Sequence, residues 1–234
     1  MPLVAWNFYT HIVYNKKVLM KITLLSGITA LLIGFTASAQ QTTQAAQETD
    51  RIGKMTVASF NSINAKGNQM VSAITPTNAP LSAADNKLML KVAAGGQRQL
   101  AISQAVLEKV TNPQVKLLAN SEVEEQTGVS AKLKEIAAAK GVTLPEGPDS
   151  EAQSLVSQVQ NLSGAELDAF YVNQSGIKGH ELLQATMTTV NSTAKDATLK
   201  KLATATLPVI KTHLSVSKDV KSMMGAGGNS TSSR

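Results

Sequence analysis

The chain has 234 residues, no cysteine, three histidines and a formal net charge of +6. The missing cysteine excludes disulfide bracing and a thiol nucleophile, and so few histidines leave no Ser/His/Asp constellation that stands out. The charge is mild: residues 1–39 carry three lysines and no acids, so without them it falls to +3. No arginine-rich patch or aromatic platform accompanies it, which excludes nucleic acid as the expected partner.

Residues 1–39 read as a signal-peptide region. Lys16, Lys17 and Lys21 form a basic stretch, residues 22–35 an apolar one, and Ala37-Ser38-Ala39 a small-residue cleavage site. Met20 is the expected true start and Gln40 the expected mature N-terminus. The apolar run falls short of the roughly 20 residues a membrane-spanning helix needs, so no transmembrane helix is expected in the mature chain. Lipid anchoring is excluded because no cysteine is available to carry the lipid.

Residues 40–81 read as a polar leader followed by a helix over 48–74, stopped by "TPTNAPLS". A helix then opens at Ser82-x-x-Asp85 with Leu88, Val92, Ser103 and Val106 on one side. Asn112-Pro113 pairs a capping Asn with a proline suited to the first helical position. The third helix carries Val115, Leu118, Val129, Leu133 and Ile136 and ends at Lys140-Gly141, where the glycine can turn left-handed. A loop and a short helix near 151–161 lead to Ser163-x-x-Glu166, a capping box opening a helix to about residue 190. The last helix spans about 195–223, closes at Gly225 and should kink at Pro208. Residues 224–234 read as a flexible tail.

Helices with one apolar stripe each must bury those stripes on one another. The expected fold is therefore all-α: an antiparallel four-helix bundle over 82–223, with an additional N-terminal helix and a short connecting helix. Gly95 and Gly96 lack the preceding strand a phosphate loop needs, so close helix approach is their expected use. Stepping 100° per residue places Gln99, Ser103, Glu122, Gln126, Gln174, Glu181 and His213 inside their helices' apolar stripes. His180 falls on a flank. Buried carboxylates must be paired, protonated or bound to metal. The candidate metal ligands are Glu122, Glu181 and His213, with His180 as a possible fourth; the alternative is a hydrogen-bonded polar layer. The Glu-x-x-His spacing of di-metal bundles is missing, since Ile177 and Ile210 precede the two histidines by three. No catalytic residue and no organic cofactor are expected.

"LKVAAGGQRQLAIS" (90–103), "VKLLANSEVEEQTGVSAKLKEIAAAKGVTLP" (115–145), "LSGAELDAFYVNQSGIKGHELL" (162–183) and "LATATLPVIKTHLSVSKDV" (202–220) resemble successive helices of one bacterial family. It is domain of unknown function 4142: exported, ferritin-like bundles often labelled predicted outer-membrane or periplasmic proteins. The resemblance implies a ferritin-like bundle and no established reaction. Many members carry a Glu after the paired glycines and an Asp-His on the second family helix; the matching positions here look like Gln99 and Glu125-Gln126, a departure from that pattern. His180 and His213 are kept, with Gly179 where an Asp is common. The amides remove ligands, which weakens the metal expectation.

The leading expectation is an exported, non-catalytic bundle of the periplasm or outer membrane, with a binding or structural role under envelope stress. The alternatives are a ferritin-like metal or redox protein with a degenerate site, and a carrier of a small apolar ligand. Peripheral association with the envelope is compatible with all three.

Overall fold

A computed structural model describes residues 50–227. The expected signal region, its start and its cleavage site lie outside the described residues, as does most of the expected tail. Among the described residues, no helix is long and apolar enough to cross a membrane.

The fold is an all-α helical bundle with one two-stranded ribbon at its N-terminal edge. Strands β1 (Arg51–Ile52) and β2 (Met55–Thr56) pair antiparallel. Helix α1 (Val57–Ser72) follows. The expected helix over 48–74 thus begins later. Gly53 takes a left-handed φ of 57° to turn the ribbon. The Thr56 side chain then accepts from the Ser59 amide, starting the helix. The buried face is Phe60, Asn64, Gly67 and Val71, one position on from the expected Ser59 and Ile63, as the packing against α3 and α7 selects it.

Helix α2 (Ala83–Val106) starts as expected, with Ser82 accepting from the Asp85 amide. Helix α3 (Pro113–Lys140) has Asn112 as its cap, Pro113 in the first turn and Gly141 at φ 66° as its stop. Helix α4 (Ser150–Asn161) is capped by Asp149, which accepts from the Ala152 amide. Three segments continue without a break: α5 (Gly164–Tyr171), a π-helix (Val172–Gly179) and α6 (His180–Thr193). The expected capping box is absent, because Ser163 makes no side-chain cap bond and Gly164 turns at φ 55°. Helix α7 (Ala197–Gly227) contains Pro208 and runs through Gly225, two residues past its expected stop.

Two apolar clusters occupy opposite ends of the bundle. One joins Met89 and Val92 of α2, Leu133 and Ile136 of α3, Met187 of α6, and Leu199 and Leu202 of α7. The other joins Ile102, Val115, Leu118, Leu167, Tyr171, Val216 and Val220. The order of these residues along each helix gives its direction. Helices α2 and α7 run one way, α3 and α5–α6 the other. Consecutive helices α3 and α5 therefore share a direction, and the connection holding α4 runs back along α2 to join them. Helix α1 lies in the groove between α3 and α7, which consequently touch little directly. Gly67 makes this possible: a Cβ there would lie 2.2 Å from Val209 Cγ2.

The expected close approach at the paired glycines is present. A Cβ on Gly95 would sit 2.9 Å from Leu183 Cδ2, and one on Gly96 2.8 Å from Gln126 Oε1.

Candidate metal centre

Between the two apolar clusters lies a layer of buried polar residues, one or more from each long segment. Helix α1 supplies Asn64; α2 supplies Gln99 and Ser103; α3 supplies Glu122, Glu125 and Gln126. The π-helix supplies Ser175, α6 His180, and α7 His213 and Ser217. Gln99, Ser103, Glu122, Gln126 and His213 are buried as their stripes predict.

The helix carrying His180 departs from expectation. Glu181, expected inside, is exposed and pairs with Lys218 at 3.0 Å. Gln174 is half-buried, whereas Ser175 and His180 are buried. The π-helix is the cause. An α-helix advances about 100° per residue, so Tyr171 and His180, nine positions apart, would face opposite sides. Hydrogen bonds from i to i+5 wind the backbone more slowly. Both side chains therefore point inward, at 1% and 2% exposure.

Glu122 is the hub. Its Oε2 lies 2.9 Å from His180 Nε2 and 3.0 Å from His213 Nδ1. Its Oε1 accepts from the Gln126 amide at 3.0 Å. One turn along α3, Glu125 Oε2 lies 3.5 Å from His213 Nδ1, and neither Glu125 oxygen accepts a hydrogen bond. The imidazoles face each other with ring centroids 5.3 Å apart, and Phe60 stacks on His213 at 5.1 Å.

Acceptors behind the rings set their tautomers. His180 Nδ1 donates to the Ser175 carbonyl at 2.9 Å, and the Gln99 amide donates to the same oxygen. His213 Nε2 donates to Asn64 Oδ1 at 2.7 Å. The remaining nitrogens, His180 Nε2 and His213 Nδ1, face Glu122, and His213 Nδ1 is within hydrogen-bond distance of its Oε2. His180 Nε2 is close enough for an ion pair but is not aligned for a directed hydrogen bond. An imidazole lone pair facing a carboxylate is repulsive unless a proton or a metal cation lies between them.

The electrostatics agree. Burial raises the Glu122 carboxyl, but the two imidazoles outweigh it and hold the group well below the usual carboxylate range. Burial, reinforced by the Glu122 charge, pushes Glu125 well above that range. Burial lowers His180, but Glu122 overcomes it and carries the ring up to about 9. Burial lowers His213, and the nearby His180 charge adds to the effect. Without a metal, the lowered Glu122 and the raised His180 favour an ion pair between the two. Tyr171 is also raised, by burial and by Glu122, and bonds to the Ser103 hydroxyl at 2.9 Å.

These residues fit a divalent cation. Glu122, His180 and His213 each offer a ligand atom, all within 4.8 Å of one another. Glu125 is buried beside them, its Oε2 3.5 Å from His213 Nδ1, whereas Glu181 lies outside the cluster. The three-residue spacing from Glu122 puts both acids on one helix face, a signal present in the sequence. Asn64 was less legible, because the face α1 buries is chosen by its packing in the groove between α3 and α7.

A surface groove of about 560 Å³ lies between α2 and α3 beneath the 141–149 loop, lined in part by Leu100, Ala101, Leu144 and Pro145. No residue of the cluster lines it.

Residues 71–220 match the family model described as Domain of unknown function (DUF4142). No curated protein and no solved structure matches the chain.

Proposed function

The chain belongs to the family of domain of unknown function 4142, and on that premise we propose that it is an exported helical-bundle protein of the bacterial envelope that binds one divalent metal ion in its core. One observation carries the metal reading. Both histidines are locked by acceptors behind their rings so that their other nitrogens converge on Glu122, while among the described residues neither oxygen of the buried Glu125 has a hydrogen-bond partner. Buried polar groups without partners cost about 1–3 kcal/mol each, so such an arrangement points to a ligand that completes it.

The same residues explain how the protein serves the ion. Ser175 and Asn64 orient the rings, Gln126 orients Glu122, and the two apolar clusters keep water from the layer. A bound divalent cation would supply positive charge balancing Glu122 and Glu125. The single crossover between helices of like direction supports the ferritin-like reading. Binding without catalysis is supported by the burial of every donor, at 4% exposure or less. The signal-like residues 1–39 support export.

Elemental analysis of untagged protein tests the first part. About one equivalent of metal is expected, lost in His213→Ala. Sub-stoichiometric metal that is unchanged in His213→Ala would end the metal reading. N-terminal sequencing of exported protein should begin at Gln40; a start at Met1 or Met20 would refute export by cleavage.

A further inference from the structure

We propose that the centre is a closed, four-coordinate, charge-neutral site of the zinc class, in which Glu122, Glu125, His180 and His213 take every coordination position and leave none for a substrate. This rests on the metal-binding reading above and specifies the kind of site and ion.

Three observations lead there. The first is the donor set. Two imidazoles and two carboxylates, with no thiolate available, suit zinc and similar borderline ions better than soft copper(I) or the all-oxygen ions magnesium and calcium. Four protein ligands are the mark of a structural site; catalytic sites keep three and an open position.

The second is space. The cavity against Glu125, bounded by Val92, Val129, Leu183, Met187 and Ile210, is about 10 Å³. That is near the lower limit for one water molecule, and its walls are mostly apolar. An octahedral ion would need two further ligands, and this cavity has no room for both.

The third is charge. Two carboxylates and two neutral imidazoles balance one doubly charged cation, with no lysine or arginine among the buried residues of the layer. Oxidation of the ion to a trivalent state would leave an uncompensated charge between two apolar clusters, which burial disfavours. The site therefore favours an ion held in one oxidation state, and a role in fastening α3, α6 and α7 together.

Cobalt(II) substitution in the full chain tests this. One equivalent of cobalt should give the intense visible absorption of a four-coordinate ion, unchanged by excess azide and abolished by one equivalent of zinc. Glu125→Gln should weaken zinc binding by more than the roughly 10–100-fold typical of outer-shell changes, and its cobalt spectrum should become azide-sensitive. Glu181→Gln should leave spectrum and affinity unchanged. Stoichiometric cobalt with weak six-coordinate absorption, or an azide-sensitive spectrum in the parent protein, would overturn the closed site while leaving metal binding intact. An unchanged spectrum in a folded Glu125→Gln would do the same. If that variant does not fold, the parent spectrum and its azide response decide. Failure of both cobalt and zinc to bind would remove the metal reading altogether.

Discussion

His213 shows how much of the centre depends on residues that are not ligands. Phe60 covers its face and Asn64 accepts its Nε2 proton, both from α1. Through that bond Asn64 acts as a positioning residue, presenting Nδ1 to Glu122 and Glu125. Asn64→Leu should lower zinc affinity by about 10–100-fold in a chelator competition. It should also cost about 1–3 kcal/mol in urea unfolding of the metal-free protein, because a buried ring N–H loses its acceptor. Glu181 is the contrasting case. Exposed and paired only with Lys218, it should tolerate Glu181→Gln within about 0.5 kcal/mol.

The π-helix is the element that decides the centre. Its backbone brings Ser175 and His180 to the interior in succession, and the Ser175 carbonyl then fixes the His180 ring. Small residues let it pack closely. A Cβ on Gly176 would lie 2.6 Å from Ser217 Oγ and 2.9 Å from Ser217 Cβ. Gly176→Ala should therefore cost about 1–3 kcal/mol by overpacking, seen as a lowered melting temperature. Gly128→Ala is the opposite test. Gly128 sits on the exposed face of α3, and a Cβ added there would meet nothing within 4 Å. At that position alanine should stabilise the helix by about 0.8–1.0 kcal/mol.

For the whole molecule, a second buried polar group closes the end of the bundle away from Tyr171. Lys140 Nζ lies 2.6 Å from Asp196 Oδ2 and donates to the carbonyls of Thr77 and Ala79. This joins the end of α3, the start of α7 and the loop after α1. Asp85 holds the same corner by accepting from the Lys195 and Asp196 amides. Lys140→Met would remove the cation paired with Asp196 and the donor to the Thr77 and Ala79 carbonyls, and should destabilise by about 1–3 kcal/mol. Burial raises the Asp196 carboxyl, but the Lys140 bond and the Leu199 and Thr198 amides outweigh it and hold the group below its usual range. Because the folded value is the lower one, its stabilising contribution is full above the unfolded value of about 3.9 and is lost as pH falls through the folded one. Unfolding measured across acidic pH should show a shallower loss of stability in Asp196→Asn than in the parent.

Much of this protein was legible in local sequence because the signals involved are local. Asn112-Pro113, Ser82 and Gly141 mark helix ends through bonds and torsions within a few residues of themselves. Apolar stripes on α2, α3 and α7 placed Gln99, Glu122 and His213 inside, since an unbroken α-helix keeps its phase. Phase was lost wherever that regularity failed. Packing between α3 and α7 put the inner face of α1 at Asn64, and the π-helix exchanged Glu181 for His180. Neither change has a local signature, because i to i+5 bonding is stabilised by the neighbours the helix meets. The place of Glu125 beside Glu122 and His213 is tertiary for the same reason. Its spacing from Glu122 is written in the chain, but its lack of any partner follows only from how α3 packs against α2, α6 and α7.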